Sequence, residues 1–329
     1  MLVKFFRGTG FGPVVLLFLI AAALWMPFFL NPPAISQSVG TPSMPLWSMI
    51  VVVLGDYPLL SVIISFVLML ILVIIMGRFN TSVFFIARRT YFPALIYILI
   101  YAVFPGRMVL NPALPAAILL MLALWRMVAA YRRNGVAYNF FDAALVISIA
   151  GLLYANAVWF ILLVFIGALI LRSPDIREIA AAFFGAVLPW AIFFAVWYLT
   201  GKDPLDLASV IQGNLFNDAL SLYWSRTLII LLIVVALVVL PAVYKLMSEM
   251  QTQKIKSRKS FSMLIWMLLI CTVAFFAVPS ASAEIMAIAA IPLSYIIANY
   301  YTFVRHIVVT EILLWALMIM LVISRIWPY

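Results

Sequence analysis

The sequence predicts an all-α protein: a polytopic transmembrane helix bundle of about eleven spans, with nine as the lower count. Of the 329 residues, 68% are hydrophobic and 9% are charged, whereas a soluble domain carries about 25% charged residues. Mean hydropathy is +1.25. Apolar runs of near span length recur along the whole chain, and the cations between them divide unevenly between alternate connecting segments. These observations predict that lipid surrounds the bundle.

Charged residues and clusters of Pro, Gly and Asn bound the apolar runs. A helix needs about 20 residues to cross about 30 Å of hydrocarbon. The predicted spans are 13–30, 58–77, 90–105, 112–130, 141–155, 157–171, 176–199, 227–245, 261–278, 284–301 and 307–326. The pair at 141–171 can also be a buried hairpin that turns at residues 154–156 and never crosses. In that case eleven spans become nine, and the sidedness of the remaining spans is unchanged.

The distribution of Lys and Arg predicts the orientation. If the N-terminus is inside, the outer segments hold four of the 20 cations, namely Arg107, Lys202, Arg226 and Arg325. The other sixteen fall in inner segments. Because cytoplasmic segments are enriched in Lys and Arg, this split predicts a cytoplasmic N-terminus and a C-terminus outside. The net charge of +10 follows this topology, and nucleic acid is not a predicted partner.

The chain is predicted to be a single integral membrane domain, 1–329, with two structured segments on its outer face. In the first, 31–57, the apolar stretch 44–54 is too short to span. In the second, 201–226, apolar residues recur at helical spacing between polar ones. Both are predicted to form interfacial helices. The segment 245–260 is predicted to be a basic cytoplasmic loop.

Acidic residues collect at the predicted outer face, and two of them are candidate catalytic groups. Asp56 lies at the mouth of the second span, and Glu284 opens the tenth. Arg107 and Arg226 are the candidate substrate-binding residues. A carboxylate can act as a base toward a sugar hydroxyl, and an arginine can neutralise a lipid phosphate. Helix caps and solvated loops carry the same residue types, so the sequence leaves open whether the protein is an enzyme.

Metals and cofactors are not predicted. Cys271 is the one cysteine and His306 the one histidine. This composition excludes a disulfide within the chain and most metal sites built on thiolate or imidazole ligands.

Several further residues are predicted to be structural. Asp175 and Asp203 each precede a predicted helix and are expected to cap its N-terminus. Four glycines are expected to be close-packing points between helices, namely Gly77, Gly151, Gly167 and Gly185.

A set of weak motifs together resembles a known family. The motifs are ARRTYFPALIYILIYAVFP at 87–105, NPAL at 111–114, NFFDAA at 139–144, RSPDIRE at 172–178 and the glycine-to-proline step at 185–189. They resemble a bacterial family of polytopic inner-membrane proteins without an assigned function, and this resemblance implies an inner-membrane location. Members have carried a carotene-cleaving oxygenase label. That activity is rejected here, since those enzymes hold iron with four histidines on a β-propeller.

A looser likeness is to the multi-span, polyprenyl-phosphate-dependent glycosyltransferases. The chain is similar to them in its interfacial segment after span one and in the late stretch Ile291-Pro292-Leu293-Ser294-Tyr295. The likeness implies glycosyl transfer from a polyprenyl-phosphate donor at the outer face. The chain departs from that class at 31–55, which holds no acid, where the class has an acidic pair.

The sequence is therefore consistent with three functions. The shortage of polar residues in the spans favours a cell-envelope scaffold or assembly partner, while the outer acids favour an enzyme that handles lipid-linked glycans. A transporter or flippase is the third. The predicted partners are membrane lipids, other envelope proteins and a lipid-linked sugar.

Overall fold

The protein is all-helical in the part of the chain that the computed structural model describes. That part comprises residues 5–6, 8, 10–33, 43–83, 86, 90–104, 108–131, 135–171, 175–216, 226–250, 255–281, 283–303 and 307–326. The α-helices are α1 (Phe11–Leu30), α2 (Pro45–Leu54), α3 (Pro58–Val83), α4 (Phe92–Tyr101), α5 (Ala113–Ala129), α6 (Ala137–Leu153), α7 (Ile161–Leu171), α8 (Ile176–Leu199), α9 (Pro204–Phe216), α10 (Arg226–Glu249), α11 (Ile255–Ala277), α12 (Met286–Phe303) and α13 (Ile307–Ile326). Two 3₁₀ turns, Ala155–Phe160 and Ala283–Ile285, precede α7 and α12.

Six helices in these described ranges are long and apolar enough to cross a membrane. They are α1, α3, α8, α10, α11 and the stretch Ala283–Phe303 that contains α12. Their length and composition indicate a membrane protein.

Each of the eleven predicted spans contains a helix, although several bounds differ. The second span continues past its predicted end to Val83, and α10 and α11 extend into the predicted basic loop 245–260. The helix in the third predicted span is much shorter than that span: α4 has 10 residues, a length of about 15 Å. The number of crossings stays a prediction.

The centre of the bundle is the short helix α4 packed against α12. All ten residues of α4 are buried, and α12 is buried along most of its length. Helices α1, α3 and α13 also contact α4, while α5, α10 and α11 contact α12. A helix that is apolar all round fits the interior of a bundle, because every face needs an apolar neighbour.

Glycines bring neighbouring helices close together at three of the four predicted points. A Cβ added to Gly185 of α8 would overlap the carbonyl group of Phe141 in α6. A Cβ on Gly151 would lie 2.7 Å from a Val158 methyl, and one on Gly167 would lie 2.9 Å from the Met263 methyl. The prediction for Gly77 is wrong, because a Cβ there would meet no atom within 4 Å in the part of the chain that the structure describes.

The two segments predicted to be interfacial form helices at one end of the bundle. Trp47, Leu54 and their neighbours on α2 share a buried apolar cluster with Leu110 and Ala155. Ile211 and Leu215 of α9 pack against the same cluster. We call α2, the 3₁₀ turn Ala155–Phe160 and α9 the cap. The second predicted segment is helical over Pro204–Phe216, and residues 217–225 lie outside the described part.

The chain reverses where the alternative hairpin was predicted to turn. Helix α6 ends at Leu153, and Tyr154 is extended with φ −134° and ψ 108°. The 3₁₀ turn and α7 follow, and α7 packs back against α6. The turn between α6 and α7 is therefore part of the cap.

Candidate functional site

Asp56, a predicted catalytic residue, lies in the turn between α2 and α3. Leu54 ends α2 with its side chain buried in the cap cluster, and the backbone N–H of Tyr57 donates to the Leu54 carbonyl at 3.0 Å. The Asp56 side chain is exposed. The turn therefore holds this carboxylate at the edge of the cap.

Glu284, the second predicted catalytic residue, lies in the 3₁₀ turn that leads into α12. Its neighbours Ala283 and Ile285 are buried, whereas Glu284 is partly exposed. This turn contacts α5 and α11. Four residues earlier, the Ser280 hydroxyl donates to the Leu215 carbonyl of α9 at 2.8 Å. The loop that carries Glu284 is thus fastened to the cap.

The predicted substrate-binding arginines cannot be placed beside these acids. Arg107 lies outside the described residues. Arg226 is the first residue of α10, and its side chain is not among the described ones. The structure therefore brings both acids to the cap end of the bundle and leaves their pairing with the arginines a prediction.

Two further acids have the capping role that was predicted for them. Asp175 precedes α8, and its side chain accepts from the backbone N–H of Arg177 at 3.4 Å. Asp203 precedes α9, and its side chain accepts from the backbone N–H of Leu205 at 2.9 Å. These hydrogen bonds satisfy backbone donors that a helix N-terminus leaves free.

Within the cap, the turn between α6 and α7 carries polar atoms that sequence reasoning missed. Asn156 Oδ1 and Trp159 Nε1 are buried without a hydrogen-bond partner among the residues that the structure describes. Residues three apart lie on the same side of a 3₁₀ helix. An acceptor and a donor on one face suit a water molecule or a single hydroxyl group. The signal in the sequence was an asparagine inside an otherwise apolar stretch.

The bundle centre holds an aromatic stack that sequence reasoning also missed. Trp25 of α1 stacks on Tyr101 of α4 with ring centroids 6.0 Å apart, and Tyr97 stacks on Tyr101 at the same distance. The Tyr97 hydroxyl donates to the Ala287 carbonyl at 3.1 Å, and Asn111 Nδ2 donates to the Tyr101 hydroxyl oxygen at 3.1 Å. The stack joins α1, α4 and the start of α12.

An apolar crevice lies between α4, α10, α12 and α13. Its lining residues are Ile96, Ile100, Val235, Val238, Ile297, Tyr301, Leu314 and Leu317. The space between these side chains has room for about one water molecule. Seven of the eight are aliphatic, so the crevice is a small apolar gap between packed helices and offers no polar group to a substrate.

No group of three or more His, Cys, Asp or Glu side chains in the described ranges is placed to hold a metal ion. Cys271, on α11, is buried.

A model for a family of unknown function, DUF6427, matches residues 44–327, which is most of the chain. The chain belongs to this family. The DUF6427 match begins just before α2 and runs through α13, so it includes both predicted acids, the cap and the crevice. Neither the curated proteins nor the solved structures give a significant match. Family membership fits the resemblance to an uncharacterised family, and the glycosyltransferase likeness stays a prediction.

Proposed function

We propose that this DUF6427 protein is a multi-pass inner-membrane scaffold or assembly partner in the cell envelope. The observation that supports the proposal is that buried hydroxyl groups in the described bundle bond to the backbone of other segments. The hydroxyls of Tyr97, Tyr295 and Ser65 each donate to a backbone carbonyl of another segment, at 3.1, 2.7 and 2.8 Å. Such bonds join segments into a rigid unit. A rigid apolar bundle suits a platform for other proteins.

The proposed topology is eleven crossings with the N-terminus in the cytoplasm, so that the C-terminus and the cap lie outside. It is supported by the helix found in each predicted span and by the cation asymmetry. Helix α4 covers only about half of the hydrocarbon thickness. Because protein surrounds α4, the segments that complete its crossing need not be helical.

The cap offers the surface for a partner protein. Val52 of α2 is 81% exposed and Leu205 of α9 is 74% exposed. Both helices are anchored by their buried faces, so these apolar side chains are held in fixed positions. Exposed apolar surface marks places where another protein or a membrane packs, and the scaffold proposal assigns this surface to a partner protein.

Site-specific photo-crosslinking tests the scaffold proposal. A photoreactive amino acid replaces Val52 or Leu205 in cells, and Leu169 on α7, which is 63% exposed, serves as the matched control. The expected result is an adduct with the same protein from both cap positions and lipid adducts alone at the control position. The proposal is contradicted if neither cap position gives a protein adduct and purification in mild detergent returns only this chain.

A second candidate function is an enzyme that handles lipid-linked glycans, with Asp56 and Glu284 as its acids. The observation in its favour is that both residues border the same cap. Asp56→Asn and Glu284→Gln strains would lose or truncate surface glycans. The control is Asp206→Asn, on the exposed face of α9. Wild-type glycans in both acid variants would eliminate this candidate. The apolar crevice gives no support to the transporter or flippase alternative.

A further inference from the structure

We propose that three cations at the start of α11 form an interaction surface for anionic glycerophospholipids, whose phosphate groups contact Lys256 and Lys259. We call Lys256, Arg258 and Lys259 the basic patch. The proposal goes beyond the scaffold function. It rests on the proposed topology only for the leaflet concerned, which is the cytoplasmic one.

The basic patch lies at the boundary of a long apolar helix. The rest of α11, residues 260–277, contains no charged residue and extends about 27 Å, close to the thickness of about 30 Å of the hydrocarbon layer. The far end of α11 is near the cap, because the Ser280 hydroxyl donates to the Leu215 carbonyl of α9. The patch therefore lies at the end opposite the cap, at the depth of lipid phosphates.

Lys259 is held in place by the ends of two other helices. Its Nζ donates to the carbonyl of Leu171, the last residue of α7, at 3.2 Å. The same Nζ lies 5.6 Å from the centre of the Tyr131 ring, just after α5. An ammonium group has three N–H donors, so this contact leaves donors for phosphate oxygens. A cation that is already positioned loses little side-chain freedom when an anion binds.

The charge of the patch is not offset by acids. The first turn of α11 has no acidic residue, and Lys256 is exposed. Neither Lys256 nor Lys259 forms an ion pair in the part of the chain that the structure describes. By contrast, Lys245 at the end of α10 lies 3.7 Å from a Glu249 carboxylate oxygen. Each cation beside a membrane strengthens the attraction to anionic lipid about fivefold.

An exposed apolar side chain beside the patch favours a lipid surface over an acidic protein. Ile255, the first residue of α11, is 47% exposed. A membrane interface offers phosphates and hydrocarbon side by side, and segments that bind it combine cations with apolar side chains. Ile255 and the neighbouring lysines present this combination.

Native mass spectrometry of the purified full-length chain in mild detergent tests the proposal. The chain is titrated with phosphatidylglycerol or with phosphatidylethanolamine, and the fraction that carries bound lipid is measured. Phosphatidylglycerol is expected to bind more tightly. Lys256→Gln is expected to lower the affinity for phosphatidylglycerol about fivefold, the effect of one cation on an anionic lipid. The affinity for phosphatidylethanolamine should stay the same.

Matched variants separate the patch from the overall charge of the protein. Lys256→Arg keeps the charge and should keep the affinity. Lys202→Gln removes an exposed cation at the cap end, and Lys245→Gln removes a cation that Glu249 already offsets. Both should leave the affinity nearly unchanged. Lys259→Gln is expected to lower it as Lys256→Gln does. If Lys259→Gln fails to fold, the exposed Lys256 position still decides the outcome.

Three results would overturn the proposal. The first is an equal loss of affinity in Lys256→Gln and Lys202→Gln, because the lipid would then follow overall charge. The second is displacement of the lipid by an equimolar amount of inorganic phosphate, which would make free phosphate the ligand. The third is a protein adduct instead of lipid adducts from a photoreactive amino acid at Ile255 in cells. Since the titration uses the purified chain alone, it succeeds or fails independently of crosslinking at the cap.

Discussion

Single buried hydroxyl groups connect helices in this bundle that are far apart in the chain. The Tyr295 hydroxyl on α12 donates to the Met76 carbonyl of α3 at 2.7 Å, and the Tyr295 side chain is fully buried. The Tyr97 hydroxyl makes a similar bond from α4 to α12. In an apolar interior a carbonyl that loses its donor is costly. These tyrosines therefore help to fix how the helices pack together.

Tyr295→Phe tests this role because it removes the hydroxyl and keeps the ring. We expect the free energy of unfolding to fall by about 1 kcal/mol, the net value of one such bond. Thermal unfolding in detergent can be followed by the reaction of a fluorogenic maleimide with Cys271, the single cysteine, which is buried on α11. Tyr198→Phe is the control. Tyr198 is 67% exposed, so this substitution should leave the unfolding temperature unchanged.

Helices α6 and α8 pack closely because α8 has a glycine, Gly185, at their contact. A methyl group at Gly185 would collide with the backbone of Phe141, and backbone yields less readily than the end of a side chain. Gly185→Ala is expected to lower the free energy of unfolding by about 1–3 kcal/mol through overpacking. Gly77→Ala is the matched control, because its Cβ would meet open space and alanine favours helix. Equal transition temperatures in both variants would contradict this account of the α6–α8 contact.

The cap is a separate apolar unit, and its stability can be tested apart from the bundle centre. Trp47 of α2 is 4% exposed within the cap cluster. Trp47→Ala removes a large buried side chain from the cap and is expected to raise amide hydrogen exchange in α2, α9 and the 3₁₀ turn, while α4 and α12 stay protected. Trp266→Ala, on a 39% exposed position of α11, is the control. A uniform rise across the bundle would show that the cap is not a distinct unit.

The positions of most helices could be predicted from the sequence because the apolar runs are bounded by charged residues and by helix-capping residues. Helix α8 begins and ends at the predicted residues, 176 and 199, and Asp175 caps it as predicted. The short length of α4 could not be predicted. Its run is apolar on every face, and such a run has the same pattern whether lipid or protein surrounds it.

The candidate site was predictable in part, since Asp56 and Glu284 were placed at one end of the bundle and both border the cap. Their surroundings were not predictable, because the contact between Ser280 and Leu215 joins segments 65 residues apart. The polar atoms of Asn156 and Trp159 were missed for the same physical reason. A single sequence indicates periodicity along each helix and gives no information about which helices pack together.

At the scale of the whole molecule, the bundle has three distinct parts: the buried helix pair α4–α12, the cap and the crevice. The α4–α12 centre is joined by buried hydrogen bonds, the cap covers the end where both predicted acids lie, and the crevice lies between α4, α10, α12 and α13. Lys245 is near the C-terminal end of α10, whereas the cap lies near the start of α12. Lys245 and the proposed partner surface therefore lie toward opposite ends of the bundle, and the membrane orientation decides which leaflet each one faces.

Cysteine accessibility tests that orientation. Cys271→Ser removes the one native thiol, and single cysteines are then introduced as Lys202→Cys, before α9, or Lys256→Cys, at the start of α11. Both positions are exposed, so reactivity depends on the side of the membrane. A maleimide that cannot cross membranes is expected to label the Lys202→Cys variant in intact spheroplasts and the Lys256→Cys variant only after lysis. The opposite pattern would invert the topology and place the cap and both acids in the cytoplasm. Labelling of both variants before lysis would contradict the predicted crossing of α10, which lies between α9 and α11.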